Sequence, residues 1–254
     1  MQFFDSHSHF NDEKFENDRN EIIKLIYKEK VTRTVCVGYN IKQSELAIKI
    51  ANSVPYIFAS VGISPNDIEN FTEEDLKKVE NLGVKNKVVA IGEIGLDYYW
   101  NKENKEKQKE AFIKQIEIAN KIEKPIIIHT REAVMDTLEI LKKYPVKKKG
   151  IFHCCPLNKE LIKEGLKLGF YISFSGNITF KNAKSEEAVS LVPDDKILIE
   201  TDSPYLSPEP VRGRRNDPRN VIYVAQRIAD IKNKSLEEIA EITFKNANKI
   251  YNIN

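Results

Sequence analysis

Four histidines and two acids mark where this chain could do chemistry: His7, His9, His129 and His153, with Glu93 and Asp202. Each lies at or just beyond the end of a short apolar or β-branched run. Phe3-Phe4 leads into Asp5-Ser6-His7-Ser8-His9, Val88-Val89-Ala90-Ile91 into Gly92-Glu93, and Ile126-Ile127-Ile128 into His129. Gly150-Ile151-Phe152 leads into His153, and Ile197-Leu198-Ile199 into Glu200-Thr201-Asp202. A lone histidine is more often a hydrogen-bonded core residue than a ligand. Having every histidine of a 254-residue chain at such an end is a pattern that scattering rarely produces. On an extended segment His7 and His9 point to the same side and can grip one ion.

Imidazole nitrogen with carboxylate oxygen suits Zn, Mn, Fe, Ni or Co, and a carboxylate-bridged pair also accommodates Mg. Six such groups exceed the needs of one ion. Two divalent cations roughly 3.5–4 Å apart, sharing a carboxylate, would use them all, and such pairs hydrolyse phosphate esters or amides. Glu93 and Asp202 would each enter a buried mouth as a charge, which is costly unless a metal or cation answers it. Cys154 and Cys155 follow His153, but adjacent strand residues point opposite ways and cysteine often serves as a small buried hydrophobe. They are expected to be core residues rather than thiolate ligands.

The elements that must position these groups alternate. Eight strand-like runs fall at 3–6, 33–37, 56–60, 88–91, 125–128, 150–152, 170–174 and 196–199. Helical periodicity occupies 14–28, 44–53, 73–80, 105–122, 133–143, 159–168 and 186–191. Two more helices close the chain, one opened by Asp217-Pro218 and one by a capping box of Ser235 and Glu238. This βα alternation fits a barrel or a doubly wound sheet. Polar groups gathered at the carboxyl ends of five strands select the α/β class and, within it, a (β/α)8 TIM barrel. A single domain over 1–254 agrees with the usual barrel length of about 250 residues.

Charged residues make up 31% and hydrophobic ones 41%, a balance that does not suit a disordered chain. Forty Lys and Arg against 38 Asp and Glu leave a net charge of +2, so a polyanion would need a local patch. The opening Met1-Gln2-Phe3-Phe4-Asp5 has no basic region before a long apolar stretch, and no run of about 18 apolar residues occurs. With three cysteines, two of them adjacent, reduced thiols and a cytoplasmic location are expected, without membrane contact or an obligate protein partner. For a substrate, Arg131 lies two residues past His129, and Arg212, Arg214 and Arg215 follow the last strand. Arginine forks match phosphate geometry. Tyr98, Tyr99 and Trp100 follow the Glu93 strand and could stack on unpaired bases or simply pack the loop.

Four segments resemble signatures of the TatD family of deoxyribonucleases: Asp5-Ser6-His7-Ser8-His9, Gly92 to Tyr99, Ile128-His129-Thr130-Arg131-Glu132-Ala133, and Glu200 to Leu206. The stretch from Pro210 to Pro218, with Arg212, Arg214 and Asn216, is similar to that family as well. The resemblance covers essentially the whole chain. It implies an amidohydrolase-type barrel with His7, His9, Glu93 and Asp202 around one divalent ion and Glu93, His129 and His153 around another. Mg, Mn or Zn would serve. It further implies a metal-dependent deoxyribonuclease that trims DNA, single-stranded or at 3′ ends, in the 3′-to-5′ direction. On this reading Glu93 and Asp202 are catalytic, and Arg131, Arg212, Arg214, Asn216 and Tyr98 touch substrate. Two positions depart from the family's pattern: Ser64 replaces a histidine before Pro65, and Cys155-Pro156 replaces an aromatic after the first cysteine. The alternative is an amide or ester hydrolase with the same metal cage, since the cage does not choose the electrophile. A retired, non-catalytic barrel would have lost ligands, and all six are present.

Overall fold

The computed structural model describes residues 1–254. Eight strands, β1 (Phe3–Ser8), β2 (Val31–Val37), β3 (Ile57–Val61), β4 (Val88–Asp97), β5 (Ile126–Arg131), β6 (Gly150–Phe152), β7 (Tyr171–Phe174) and β8 (Ile197–Ile199), pair in chain order, all parallel. The ring closes where the last strand's loop meets the first: Ser8 bridges Ser203, the His9 amide donates to the Ser203 carbonyl at 2.8 Å, and the Asp202 amide donates to the His7 carbonyl at 2.9 Å. Closure therefore joins the two segments that carry His7, His9 and Asp202.

Helices α1 (Arg19–Lys28), α2 (Ile41–Ser53), α3 (Glu73–Gly83), α4 (Lys105–Lys121), α5 (Val134–Lys143), α6 (Lys159–Lys167) and α7 (Ser185–Ser190) follow strands one to seven in turn. After β8 come α8 (Val221–Lys232) and α9 (Leu236–Tyr251). The Ser235–Glu238 capping box forms as expected, and Asp217 caps a 3-10 turn at Pro218–Asn220 that runs into α8. The first helix starts later than periodicity suggests. Asp12 accepts from the Lys14 amide and caps a separate 3-10 turn at Glu13–Phe15, so the α-helix begins only at Arg19. No helix is long and apolar enough to cross a membrane.

Two apolar clusters hold the architecture. The larger, of 55 residues, packs the outer strand faces against the helices. The smaller fills the lower barrel with Phe4, Val35, Val37, Val89, Ile127, Ile151, Tyr171 and Leu198. Ala247 and Tyr251 of α9 belong to this inner cluster, and Tyr251 stacks on Phe4 at 5.8 Å between ring centres while donating its hydroxyl to the Ser6 carbonyl at 2.8 Å. α9 thus plugs the floor of the barrel. Each fully buried aliphatic or aromatic side chain contributes about 1.5–3 kcal/mol of transfer free energy.

The longest strand is the one that carries Glu93. Its apolar run suggests an end at Ile91, yet β4 continues to Asp97 through a register shift against β5 between Ile91 and Ile94. Gly95 makes this possible. It has φ of +141°, and a Cβ there would stand 2.0 Å from the His129 carbonyl oxygen, so only glycine lets β4 run this close to β5. That approach brings Glu93 and Asp97 beside His129.

Candidate metal centre

The six ligand candidates converge at the carboxyl ends of β1, β4, β5, β6 and β8. The His7 and His9 Nε2 atoms lie 3.1 Å apart. Both face Glu93 Oε2, at 3.5 and 3.7 Å, and Asp202 Oδ1, at 3.5 and 3.3 Å. On the other side His129 Nδ1 and His153 Nε2, 3.2 Å apart, face Glu93 Oε1 at 2.7 and 3.2 Å. The two Glu93 oxygens are divided between the two histidine pairs. Donors at about 2.1 Å from one ion sit roughly 3.0–3.4 Å from each other in octahedral or tetrahedral geometry. Half of the eight separations fall within that spacing and the rest lie within about 0.3 Å of it, so the donor sets fit divalent ions of the kind that favour nitrogen and oxygen ligands.

Three of the four remaining ring nitrogens are oriented from behind, as metal-binding imidazoles require. His9 Nδ1 lies 3.0 Å from the Val37 carbonyl, His129 Nε2 lies 2.9 Å from Asp97 Oδ2, and His153 Nδ1 lies 3.2 Å from Glu200 Oε1. Asp97 and Glu200 are buried acids that the sequence reading left without a role. Both fall within the segments that carry the family resemblance, at the ends of strands four and eight, and that position was the available signal.

Electrostatics agree with a site built for cations. Burial alone would raise the Glu93 carboxyl, but the imidazoles of His153, His129 and His7 bring it well below the usual carboxylate range. Burial favours neutral His153, yet the Glu93 and Glu200 carboxylates lift it well above an ordinary histidine. For Asp202 too, burial is outweighed, by His9, His7 and His153, and its carboxyl is lowered. Asp5 differs. Burial pushes it up to about 8, against hydrogen bonds from Thr201 and His7. Its carboxyl group contacts the Thr201 amide at 2.9 Å and hydroxyl at 2.6 Å, tying β1 to the loop that carries Asp202. Asp202 itself adopts φ of +53°, a conformation that aspartate tolerates better than most residues and that surrounding contacts must hold.

Above the donors a cavity of about 630 Å³ opens to solvent, lined by His9, Glu93, His129, His153 and Asp202 with Arg131, Trp100, Tyr39 and Tyr205. Its size is that of small-ligand sites. Asp67, Glu93 and Asp202 line it, Asp97 and Glu200 stand behind, and Arg131 is its one fixed cation. With the imidazoles neutral, as metal ligation requires, the acids outnumber Arg131, so divalent cations would be what makes this mouth attractive to an anionic substrate.

The substrate candidates divide. Arg131 lines the cavity, with its guanidinium 3.8 Å from the Tyr99 ring centre and 5.5 Å from that of Trp100. Arg212 and Arg214 are exposed but do not line it; Arg212 lies over the Phe180 ring at 3.8 Å and near Glu209 at 3.9 Å. Arg215 is engaged by Asp18 at 2.5 and 2.8 Å. Tyr98 and Asn216 do not line the cavity. Tyr98 is 5% exposed and donates its hydroxyl to Asp136 at 2.7 Å, because Asp97 turns the following backbone so that Trp100, 68% exposed, faces the mouth instead. Asn216 is buried and braces the Asp202 loop by donating to the Thr201 carbonyl at 3.0 Å and to that of Tyr205 at 2.6 Å. Tyr39 and Tyr205, unmarked in the sequence, stand edge-on to His9 at 5.6 and 6.5 Å. Ser64 turns its hydroxyl to Asp67 at 3.1 Å. Neither Cys154 nor Cys155 joins a group able to hold a metal; Cys154 Sγ lies 3.1 Å from the Ser175 hydroxyl, and burial keeps both thiols raised.

A family model described as TatD related DNase matches residues 4–252. An uncharacterized metal-dependent hydrolase, YabD of Bacillus subtilis (strain 168), is 45% identical over 253 residues, covering 99% of each chain. Another, YcfH of Escherichia coli (strain K12), is 44% identical over 197 residues, which cover 76% of this chain and 73% of its own. Among solved structures, YJJV, a TatD homolog from Escherichia coli K12, superposes with a TM-score of 0.94 at 23% identity, covering 99% of this chain and 98% of that one. An uncharacterized amidohydrolase from Saccharomyces cerevisiae gives 0.90 at 19% identity, over 98% and 99% of the two chains. At those identities the structural likeness speaks for the barrel alone.

Proposed function

Because this chain belongs to the TatD-related DNase family and is a metal-dependent hydrolase, we propose that it hydrolyses DNA phosphodiester bonds using two divalent cations, trimming single strands or 3′ ends in the 3′-to-5′ direction. The observation that carries the two-ion reading is the division of the Glu93 oxygens, one toward His7 and His9, the other toward His129 and His153. A bridging carboxylate between nitrogen pairs is the arrangement a two-metal hydrolase needs. Mg, Mn and Zn are the candidate ions.

Bound there, such ions would make a water acidic enough to attack phosphorus near neutral pH and would offset charge on the phosphoryl oxygens. Asp202, ionised and lining the cavity, orients that water and accepts its proton. Arg131 offers a guanidinium to a neighbouring phosphate. Trp100 and Tyr205, both exposed and lining the cavity, present rings to unpaired bases. A cavity floored by the metal donors favours a strand end over a passing duplex; the 3′ polarity rests on the family resemblance.

The test is cleavage of end-labelled single- and double-stranded DNA by metal-stripped protein resupplied separately with Mg, Mn or Zn. Cation-dependent laddering from the 3′ end is expected. No cleavage with any cation, by protein that binds two metals, would overturn the nuclease reading and favour an amide or ester electrophile.

A further inference from the structure

Behind the donor atoms, two buried polar groups stand without hydrogen-bond partners although both belong to the centre: His7 Nδ1 and Glu200 Oε2. Glu200 is fully buried. Its other oxygen is well occupied, 3.2 Å from His153 Nδ1 and accepting from the Cys154 amide at 2.6 Å. The His7 and His153 rings stack with centres 4.0 Å apart and planes 14° apart. A ring nitrogen of His7, one of His153 and a Glu200 oxygen lie within 4.8 Å of one another. No hydrogen bond joins His7 to Glu200. Two hydrogen bonds of about 2.8 Å meeting at a tetrahedral angle on one water span about 4.6 Å, a reach of the same order as that limit.

A ligating His7 Nε2 leaves its proton on Nδ1, and a buried N–H needs an acceptor. We propose that Glu200 is a positioning residue for both ions, with Oε1 holding His153 and Oε2 holding His7 through one buried solvent molecule. Glu93 then joins the two sites from the front and Glu200 from behind. Asp97 makes the contrast, since it orients His129 alone. This inference rests on the two-ion reading and is independent of which ester is cleaved.

The experiment loads the full chain with Zn²⁺ and measures the affinity of each ion by competition with a chromogenic chelator, with circular dichroism as the check on folding. Loss of an outer partner typically weakens metal binding about 10–100-fold. Glu200→Asp keeps the charge and withdraws the oxygens by one methylene; it is expected to weaken both ions by that factor, whereas Asp97→Asn weakens one. A Glu200→Asp protein that holds one or both ions as tightly as the parent overturns the inference, while two ions in the parent still support the bridging role of Glu93. A parent that takes up a single ion overturns both. Should Glu200→Asp not fold, a crystal structure of the zinc-loaded parent decides. Solvent within hydrogen-bonding distance of His7 Nδ1 and Glu200 Oε2 supports the assignment; a third ion there, or His7 Nδ1 paired elsewhere, overturns it.

Discussion

The floor and the mouth of the barrel are built from the same eight strands, yet they are stabilised by opposite means. At the floor, Phe4, Val35, Ile127, Ile151 and Leu198 pack against Tyr251 of α9, and little polar chemistry is left to satisfy. At the mouth, Glu93, Asp97, Glu200 and Asp202 are gathered with four histidines. Buried charges of one sign are costly unless cations answer them. The floor is therefore complete as apolar packing, whereas the mouth is complete only with its metal. Substitutions at the floor should change stability with little effect on turnover, and those at the mouth the reverse.

Asp202→Asn should show the largest functional effect. The amide is nearly isosteric but takes no proton, so turnover on end-labelled DNA is expected to fall by about 10²–10⁴-fold, the usual contribution of a general base. The melting temperature should change little. Wild-type turnover by a folded variant with both ions bound would remove Asp202 from this role. Phe4→Ala probes the opposite end. It opens a cavity against the Tyr251 ring and should cost about 3–5 kcal/mol of unfolding free energy in a denaturant titration, while the folded fraction keeps its metals and its turnover. If turnover instead fell in step with Asp202→Asn, floor and mouth would not be separable. Metal removal tests the contrast in one protein. Adding divalent ion at about 100 times its dissociation constant should stabilise the stripped chain by about 2.7 kcal/mol per ion, seen as a rise in melting temperature. A melting temperature indifferent to metal would mean that the mouth satisfies its charges unaided.

How much of this was legible in the sequence follows the same division. The ligands could be read because each is a polar group placed directly after an apolar run, and parallel strands deliver such groups to one face. The course of β4 beyond Ile91 could not, because two glycines break the apolar pattern, and only the close approach of Gly92 to Ile127 and of Gly95 to His129 explains them. Asp97 and Glu200 lie in segments that carry the family resemblance, but an acid that orients a histidine looks in sequence like any other acid near a ligand. Asn216 is expected at substrate because it lies in the 210–218 stretch that resembles the family; its amide donates to two backbone carbonyls. Loop side chains take their direction from local backbone contacts, and those depend on residues distant in sequence.

Tyr98 and Trp100 turn that last point into the smallest and most specific prediction. Both are aromatic and follow the same strand, but the Asp97 carboxylate accepts from the Tyr99 and Trp100 amides, at 2.9 and 3.1 Å, and this turn buries the first ring and exposes the second. Trp100→Ala should raise KM for single-stranded DNA by an amount equivalent to about 1–3 kcal/mol, the worth of one stacked base, with kcat nearly unchanged and stability unaffected. Tyr98→Phe removes only the hydroxyl donated to Asp136, and should cost about 1 kcal/mol of stability with no change in KM. The opposite outcome, KM rising in Tyr98→Phe and not in Trp100→Ala, would place the substrate on the other side of this loop. It would also separate the path of the nucleic acid from the cavity above the metal centre.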